Sequence, residues 1–319
     1  MGKALTQGSG ELRIEWRATT ADDLDECLGI QPQCLGGGII GEAAARRMWR
    51  ELFQLPAFFS CVVTCDPPIN SSRVGAFGAA AFVSSEFVEA EIAHPRPGVN
   101  DRFMAQLSEG RSVLLDEDGI AEANSTLGLE TLTLYGSWPP GPALEKRFSV
   151  LTTAFLQMTA GFQIKRLLWE AVGEVERHFA RHAKVHRILA EFPEMDRDLV
   201  MLDPESAAQV SVSAAQAVFN FRQPLLGLAR SDQMLLLSAL KGLTDEELAV
   251  SLALTLPAVK ARWRSVFARM ATALPELADR LQNQAVRGRQ KRHRVIEYMR
   301  EHPEELRPWV RRAAGKSSR

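Results

Sequence analysis

The first two thirds of the chain alternate between two hydrophobic periods. Leu12, Ile14 and Trp16 fall on one face of residues 11–17, the period of two that marks a strand. Thr20 with Ala21-Asp22-Asp23 is a helix start, an N-cap followed by acids in the first turn, and Leu24, Cys27 and Leu28 then recur at helical spacing. Gly36-Gly37-Gly38 breaks the chain ahead of a helix over 41–55. The apolar, β-branched run 58–65 predicts a buried strand, and after a turn over 67–73 the run 74–83 predicts its hairpin partner. Residues 86–127 show no clear period beyond a short helix near 100–110. A strand over 129–138, a helix over 143–160, a strand over 164–172, a short helix from 173 and strands near 186–192 and 197–203 follow. Together these predict a mixed α/β domain over 1–206, and the small polar stretch after it predicts a linker over 207–222.

From Gln223 strand signals vanish and helical periodicity runs to the end. Met234, Leu235, Leu236, Ala239 and Leu240 form an apolar stripe, which Lys241-Gly242 ends with glycine at the left-handed C′ position. Thr244 with Glu247 is a capping box, Leu243 before it a hydrophobic staple, and the short helix so started turns Leu248, Ala249 and Leu252 inward. Ala253-Leu254-Thr255 reads as a tight turn. Thr255 caps a helix over 256–270 with Pro257 in its first turn. That helix turns Val259, Trp263, Val266, Phe267 and Met270 to the core and Lys260, Ala261 and Arg264 away from it, with Arg262 and Arg269 flanking. The reading is an all-α helix-turn-helix domain over 223–284, then a basic helical tail over 285–319.

Composition narrows the class. A chain of 319 residues suits two domains, and 46% hydrophobic with 24% charged residues excludes a disordered or collagen-like chain. No run approaches the roughly 18 to 20 apolar residues of a membrane span. The first residues carry no apolar stretch of a secretory signal, and Cys27, Cys34, Cys61 and Cys65 fit a reducing compartment, so a cytoplasmic protein without a membrane partner is expected. The formal net charge of −1 hides an asymmetry: residues 223–319 hold 18 Lys and Arg against 10 Asp and Glu, leaving 20 against 29 in residues 1–222. A balance of +8 beside −9 predicts an acidic domain joined to one that faces nucleic acid, the alternative being unequal solvated surfaces.

Gly242, Leu243, Thr244, Glu247, Leu248, Ala249, Leu252, Leu254, Thr255, Val259 and Lys260 together resemble the LuxR-type helix-turn-helix family over about 50 residues. Ala253 stands where that family has a turn glycine, Ala258 where it has threonine and Arg262 where it has histidine. The resemblance implies a transcriptional regulator that binds double-stranded DNA as a homodimer on paired half-sites. On this reading Lys260 and Arg264 meet base edges in the major groove, while Thr255, Arg262 and Arg269 contact phosphates. A sigma-factor region-4-like module would share the pattern, and a helical bundle with a solvated basic face is the non-functional alternative. For the tail, a helical pair aiding dimerisation or phosphate contact stands beside a basic surface helix with no specific role.

The order of elements in 1–206, with RATTADDLDECL at the first strand-to-helix junction, resembles the GNAT acyltransferase fold. That family binds the acyl-CoA pyrophosphate on backbone amides of a glycine-rich turn after its fourth strand. Here the turn would be 137–143, where Pro139, Pro140 and Pro142 remove donors and the glycine spacing is missing. The expectation is therefore a GNAT-like domain that is not an enzyme, needs no cofactor, and senses a small-molecule effector or pairs subunits. The alternative is an active acyl-CoA-dependent N-acyltransferase with a helical appendage.

Three other constellations are read as structural. His178, His182 and His186 recur every four residues behind Glu174, but the strand pattern restarting near Val185 predicts solvated histidines rather than zinc ligands. Cys61 and Cys65 lie on a strand about 13 Å apart by its rise, which predicts buried thiols. Asp116-Glu117-Asp118-Gly119 reads as an acidic turn.

Overall fold

Seven strands form one mixed sheet in the order β1-β2-β3-β4-β5-β7-β6. They are β1 (Arg13–Ala18), β2 (Phe58–Ile69), β3 (Ser72–Val83), β4 (Leu129–Ser137), β5 (Ile164–Val172), β6 (Arg187–Phe192) and β7 (Arg197–Leu202). The computed structural model describes residues 12–69, 72–137, 141–182, 186–209, 214–276 and 288–310. The readings of the N-terminal segment 1–11, the middle of the 137–143 turn and the last nine residues lie wholly or partly outside these. Strands β1 to β4 are antiparallel neighbours, as are β5, β7 and β6.

The hairpin is long because both its strands are apolar on both faces: Cys61, Val62, Val63, Ala76, Phe77, Ala79, Ala80 and Ala81 are all buried. A sheet covered on both sides reads as a continuous apolar run rather than an alternating one. On one side, α1 (Leu24–Ile30) and α2 (Glu42–Leu52) bring Leu24, Leu28, Trp49 and Leu52 into a core with Phe77, Leu132, Leu134 and Tyr135. The capping box at Thr20 and Asp23 starts this region, with the Asp23 carboxylate accepting from the Thr20 N–H at 2.8 Å. On another, α6 (Leu144–Thr159) packs Leu151 and Ala154 against Cys61, Val63 and Ala76.

Residues 85–124, almost featureless in sequence, fold as α3 (Ser85–Ala93), α4 (Val99–Ser108) and α5 (Glu117–Asn124). Their pattern is obscured because polar residues are buried among the apolar ones. Glu91 of α3 is 3% exposed and accepts from Arg102 Nε of α4 at 2.8 Å. After β5 come α7 (Gly173–His182), then α8 (Pro204–Ala208) and α9 (Ala214–Val218). The stretch read as a linker is thus partly helical, with Ala207 and Val218 buried and Ala207 packed on Leu167 and Leu202.

The chain divides into two compact units, a sheet unit (1–116, 130–159, 165–219) and a second unit of 117–129, 160–164 and 220–319. Within the second unit, α10 (Arg230–Ala239), α11 (Asp245–Ser251), α12 (Leu256–Ala273) and α13 (Gly288–Glu301) share one core. It contains Leu235, Leu236, Leu248, Val259, Trp263, Val266, Met270, Val295, Met299 and Leu306. Gly242 takes the left-handed φ of +85° expected of it, but one position beyond C′, since α10 has its C-cap at Leu240; Thr244 and Glu247 make the capping box. Ala253 takes φ +50°, the left-handed turn conformation that favours glycine.

Two readings of this unit change. In α10, Met234 is exposed, while Asp232 and Gln233 are buried. Asp232 accepts from Ser265 Oγ at 2.9 Å, and Gln233 Nε2 donates to the Arg307 carbonyl at 2.7 Å. The described part of the tail is not an appended surface helix: Val295, Met299 and Leu306 are core residues, and both Glu305 carboxylate oxygens accept N–H groups, from Leu225 and Leu226. Gly161, at φ +82°, lies so close to this turn that a Cβ would stand 2.4 Å from the Glu304 nitrogen.

Candidate functional site

Within the sheet unit, β4 breaks its register against β3: Ala79 faces Tyr135 but Ala80 faces Thr133, so Leu134 is the extra residue of a bulge. A bulge frees backbone groups from the ladder, and here the Leu134 carbonyl accepts from Asn100 Nδ2 of α4 at 2.8 Å. At this point lies a cavity of about 460 Å³. Residues 133–136 of β4 and Leu167, Trp169 and Glu170 of β5 line it together with Phe148, Leu151, Phe155 and Leu156 of α6 and Phe59 of β2. Apolar and aromatic walls with a few polar groups are the usual make-up of a small-molecule site.

Those polar groups are Asn100, Thr133, Tyr135, Thr152, Glu170, Glu176 and His186. Tyr135 is 1% exposed; its hydroxyl accepts from the Gln31 N–H at 2.6 Å and donates to the Leu28 carbonyl at 3.4 Å, and burial pushes its pKa well up. Glu170 is neutralised in place, since Arg197 Nη1 donates to one oxygen at 2.6 Å and the Gly98 N–H to the other at 2.5 Å. Glu176 has no cation paired with it among the described residues. Burial lifts its carboxyl from 4.5 to about 8, against the Val172 N–H and the Gln31 side chain, which pull it down. His186 moves the opposite way for the same reason: burial lowers it to about 4, against a backbone hydrogen bond at Ala180.

The signs of these two shifts separate their effects on stability. Glu176 holds a proton in the folded state that the unfolded chain releases above about 4.5, so its contribution is lost as pH rises toward about 8. His186 is neutral when folded and charged when unfolded between about 4 and 6.5, so its contribution is lost as pH falls through that window. Between pH 6.5 and 8.5 only Glu176 of the two changes. The denaturation midpoint of Glu176→Gln should therefore fall less over that range than that of the wild type, as urea unfolding at both pH values would measure. Equal falls would rule out the raised carboxyl.

The structure separates the three regularly spaced histidines. His178 and His182 stack on an exposed face of α7 with ring centroids 3.9 Å apart, while His186 lines the cavity. Cys34 and Cys61 also line it, and all four cysteines are buried, with burial raising every thiol, that of Cys61 to about 12. Asp116-Glu117-Asp118-Gly119 runs into the start of α5. None of the cavity's polar residues except His186 stands out in sequence. Asn100 sits in the segment with no readable period, and Glu176 is one of several charges on α7.

In the second unit, Thr255 caps α12 by accepting from the Ala258 N–H at 3.3 Å, and Lys260 and Arg264 are exposed. Arg262 and Arg269 are half-buried and anchored. Arg262 donates to the Ser231 carbonyl at 3.0 Å and Arg269 to the Gly227 carbonyl at 2.6 Å, on either side of the start of α10.

The seven-stranded mixed sheet with helices is consistent with a GNAT-like α/β domain. Among solved structures, the chain is similar to an N-acyl amino acid synthase from uncultured soil microbes, FeeM, at 11% identity and a TM-score of 0.39, over 64% of this chain and 97% of that one. It is also similar to a GNAT-family acetyltransferase assigned in Desulfovibrio desulfuricans (10%, 0.32, 60% and 99%) and to mosquito arylalkylamine N-acetyltransferase-like 5b (9%, 0.36, 59% and 99%). No protein-family model and no curated protein matches the sequence. The expectation of a chain that is not an enzyme is corrected here: the proteins of these structures are named as acyltransferases and a synthase. That expectation rests on the 137–143 turn alone, which leaves the cavity out. No helix among the described residues is long and apolar enough to cross a membrane.

Proposed function

We propose that the sheet unit is an N-acyltransferase, transferring an acyl group from a thioester to an amine in the cavity at the β4 bulge. The observation that carries this reading is the cavity itself: apolar walls from Phe148, Leu151, Phe155 and Trp169, with the uncompensated carboxyl of Glu176 among its lining groups. In the reaction the amine nitrogen bonds to the thioester carbonyl carbon, the C–S bond breaks, and the thiol leaves with a proton. Glu176 is the candidate base for the proton the amine loses, because a carboxylate with a pKa near that of the medium both accepts and returns protons. Acyl transfer should then rise as pH passes through about 8, where Glu176 ionises, and this limb should disappear in Glu176→Gln. Thiol release from acyl thioesters offered with a panel of amines measures both. A pH profile unchanged in the variant takes Glu176 out of the mechanism.

A second reading concerns the helices of the other unit. The caps at Thr244 and Thr255, the left-handed turn at Ala253 and the exposed Lys260 and Arg264 support α12 as a DNA-facing helix of a regulator. Arg262 and Arg269 hold backbone carbonyls, which narrows the contact set to Lys260, Arg264 and the Thr255 end of the helix. Full-length protein should bind duplex DNA more weakly as salt rises, and the double variant Lys260→Ala, Arg264→Ala should flatten that slope. Binding that ignores both salt and the double variant would end this reading.

A further inference from the structure

Asn100 is 8% exposed, lines the cavity, and is oriented without ambiguity. Its Nδ2 faces the Leu134 carbonyl at 2.8 Å, an acceptor, so the amide nitrogen must be the atom on that side and Oδ1 must be on the other. Oδ1 is buried and finds no hydrogen-bond partner among the described residues. A buried acceptor left unmade is costly, and such groups in native proteins call for a partner such as a bound water, an ion or a ligand. His186 Nδ1, on another lining residue, also finds no hydrogen-bond partner among the described residues. Of the other polar lining residues, Glu170 is paired with Arg197 and the Tyr135 hydroxyl already accepts and donates within the fold, while Thr133, Thr152 and Glu176 complete the set. Asn100 Oδ1 is thus a buried acceptor with no partner among the described residues, on a residue that lines the cavity.

We propose that Asn100 is a specificity-determining residue whose Oδ1 accepts a hydrogen bond from an N–H of the bound molecule, so that the cavity selects apolar ligands bearing an N–H over their oxygen isosteres. The residue comes from α4, within the helical segment between β3 and β4, and the β4 bulge fixes it by exposing the Leu134 carbonyl. This deepens the acyltransferase reading, in which an amine is the acceptor and an amide the product, but it concerns binding and does not need turnover.

The test compares N-methyloctanamide with methyl octanoate, which differ by one N–H for one oxygen, by calorimetry on the full chain. The wild type should bind the amide about tenfold or more tightly than the ester, because the ester sets an oxygen against an acceptor. In Asn100→Leu the two should bind within about threefold of each other. Equal binding of both probes by the wild type overturns the proposal without any variant, as does binding of neither. A preference that persists unchanged in Asn100→Leu, with circular dichroism showing the variant folded, overturns the assignment to Asn100. If that variant does not fold, Asn100→Asp keeps an acceptor and should retain the amide preference, and its loss there counts against the proposal. The outcomes separate from those of the acyltransferase reading: a standing amide preference with no transfer to any amine ends that reading alone.

Discussion

Replacing Trp49 by alanine is expected to cost about 3–5 kcal/mol of stability, the range for removing a large aromatic from a well-packed core. Trp49 is fully buried on α2, and its Nε1 donates to the Leu35 carbonyl at 3.0 Å. Its ring meets Phe58 and Tyr135 edge-on at 5.9 and 6.0 Å and Phe77 at 6.3 Å. The substitution therefore removes packing, leaves a carbonyl unpaired, and withdraws support from Tyr135, which lines the cavity. Urea denaturation measures the loss, and one below about 1 kcal/mol would mean that this core collapses onto the vacancy far more readily than close packing permits.

The second large effect is expected at Arg197. Its guanidinium faces Glu170, whose side chain is only 1% exposed, so Arg197→Met leaves a buried carboxylate with the Gly98 N–H as its main remaining partner. Removing one partner of a buried ion pair costs about 3–5 kcal/mol, most of it the penalty of the stranded charge. The double variant Arg197→Met, Glu170→Gln should recover much of that loss, since the neutral amide no longer strands a charge. A double variant as unstable as the single one would show that Arg197 acts by packing rather than by neutralising Glu170. Because Glu170 belongs to the cavity lining, ligand affinity should follow the same order as stability.

The elements that repeat a strong period are the ones legible from sequence. The hairpin, β4, β5, α11 and the start of α12 fall within a few residues of their expected bounds, because long apolar runs and cap residues both mark them. Where burial and polarity part company the sequence misleads. Glu91 of α3 and Asp232 and Gln233 of α10 are buried by pairing with Arg102, Ser265 and the Arg307 carbonyl, which no local pattern reveals. Met234, by contrast, is exposed at 38% despite its apolar side chain. The tail reads as a basic extension because charge dominates its composition, although Val295 and Met299 at helical spacing are enough to signal a packed face.

The cavity is not legible at all, for a different reason. It is assembled from β2 to β5, α4, α6, α7 and the segment around His186, so each polar group enters from a separate part of the chain and no motif spacing links them. Asn100 draws its meaning from a bulge in β4, which depends on register rather than residue type. The prolines after β4 show what one turn lacks and carry no information about the cavity. The helix-turn-helix residues are legible as a pattern. Their division into exposed Lys260 and Arg264 and anchored Arg262 and Arg269 depends on the neighbouring carbonyls of Ser231 and Gly227.

The most direct test of acyl transfer in the cavity is the detection of amide product by mass spectrometry. Purified full-length protein is mixed with an amine panel and with octanoyl thioesters of coenzyme A and, separately, of N-acetylcysteamine, which carries no pyrophosphate and so makes no demand on the turn after β4. The predicted result is amide formed from at least one donor faster than without protein, increasing as pH rises through about 8 and abolished by filling the cavity with Leu151→Trp. No amide above the protein-free rate from either donor, at any pH from about 6.5 to about 9, would contradict it.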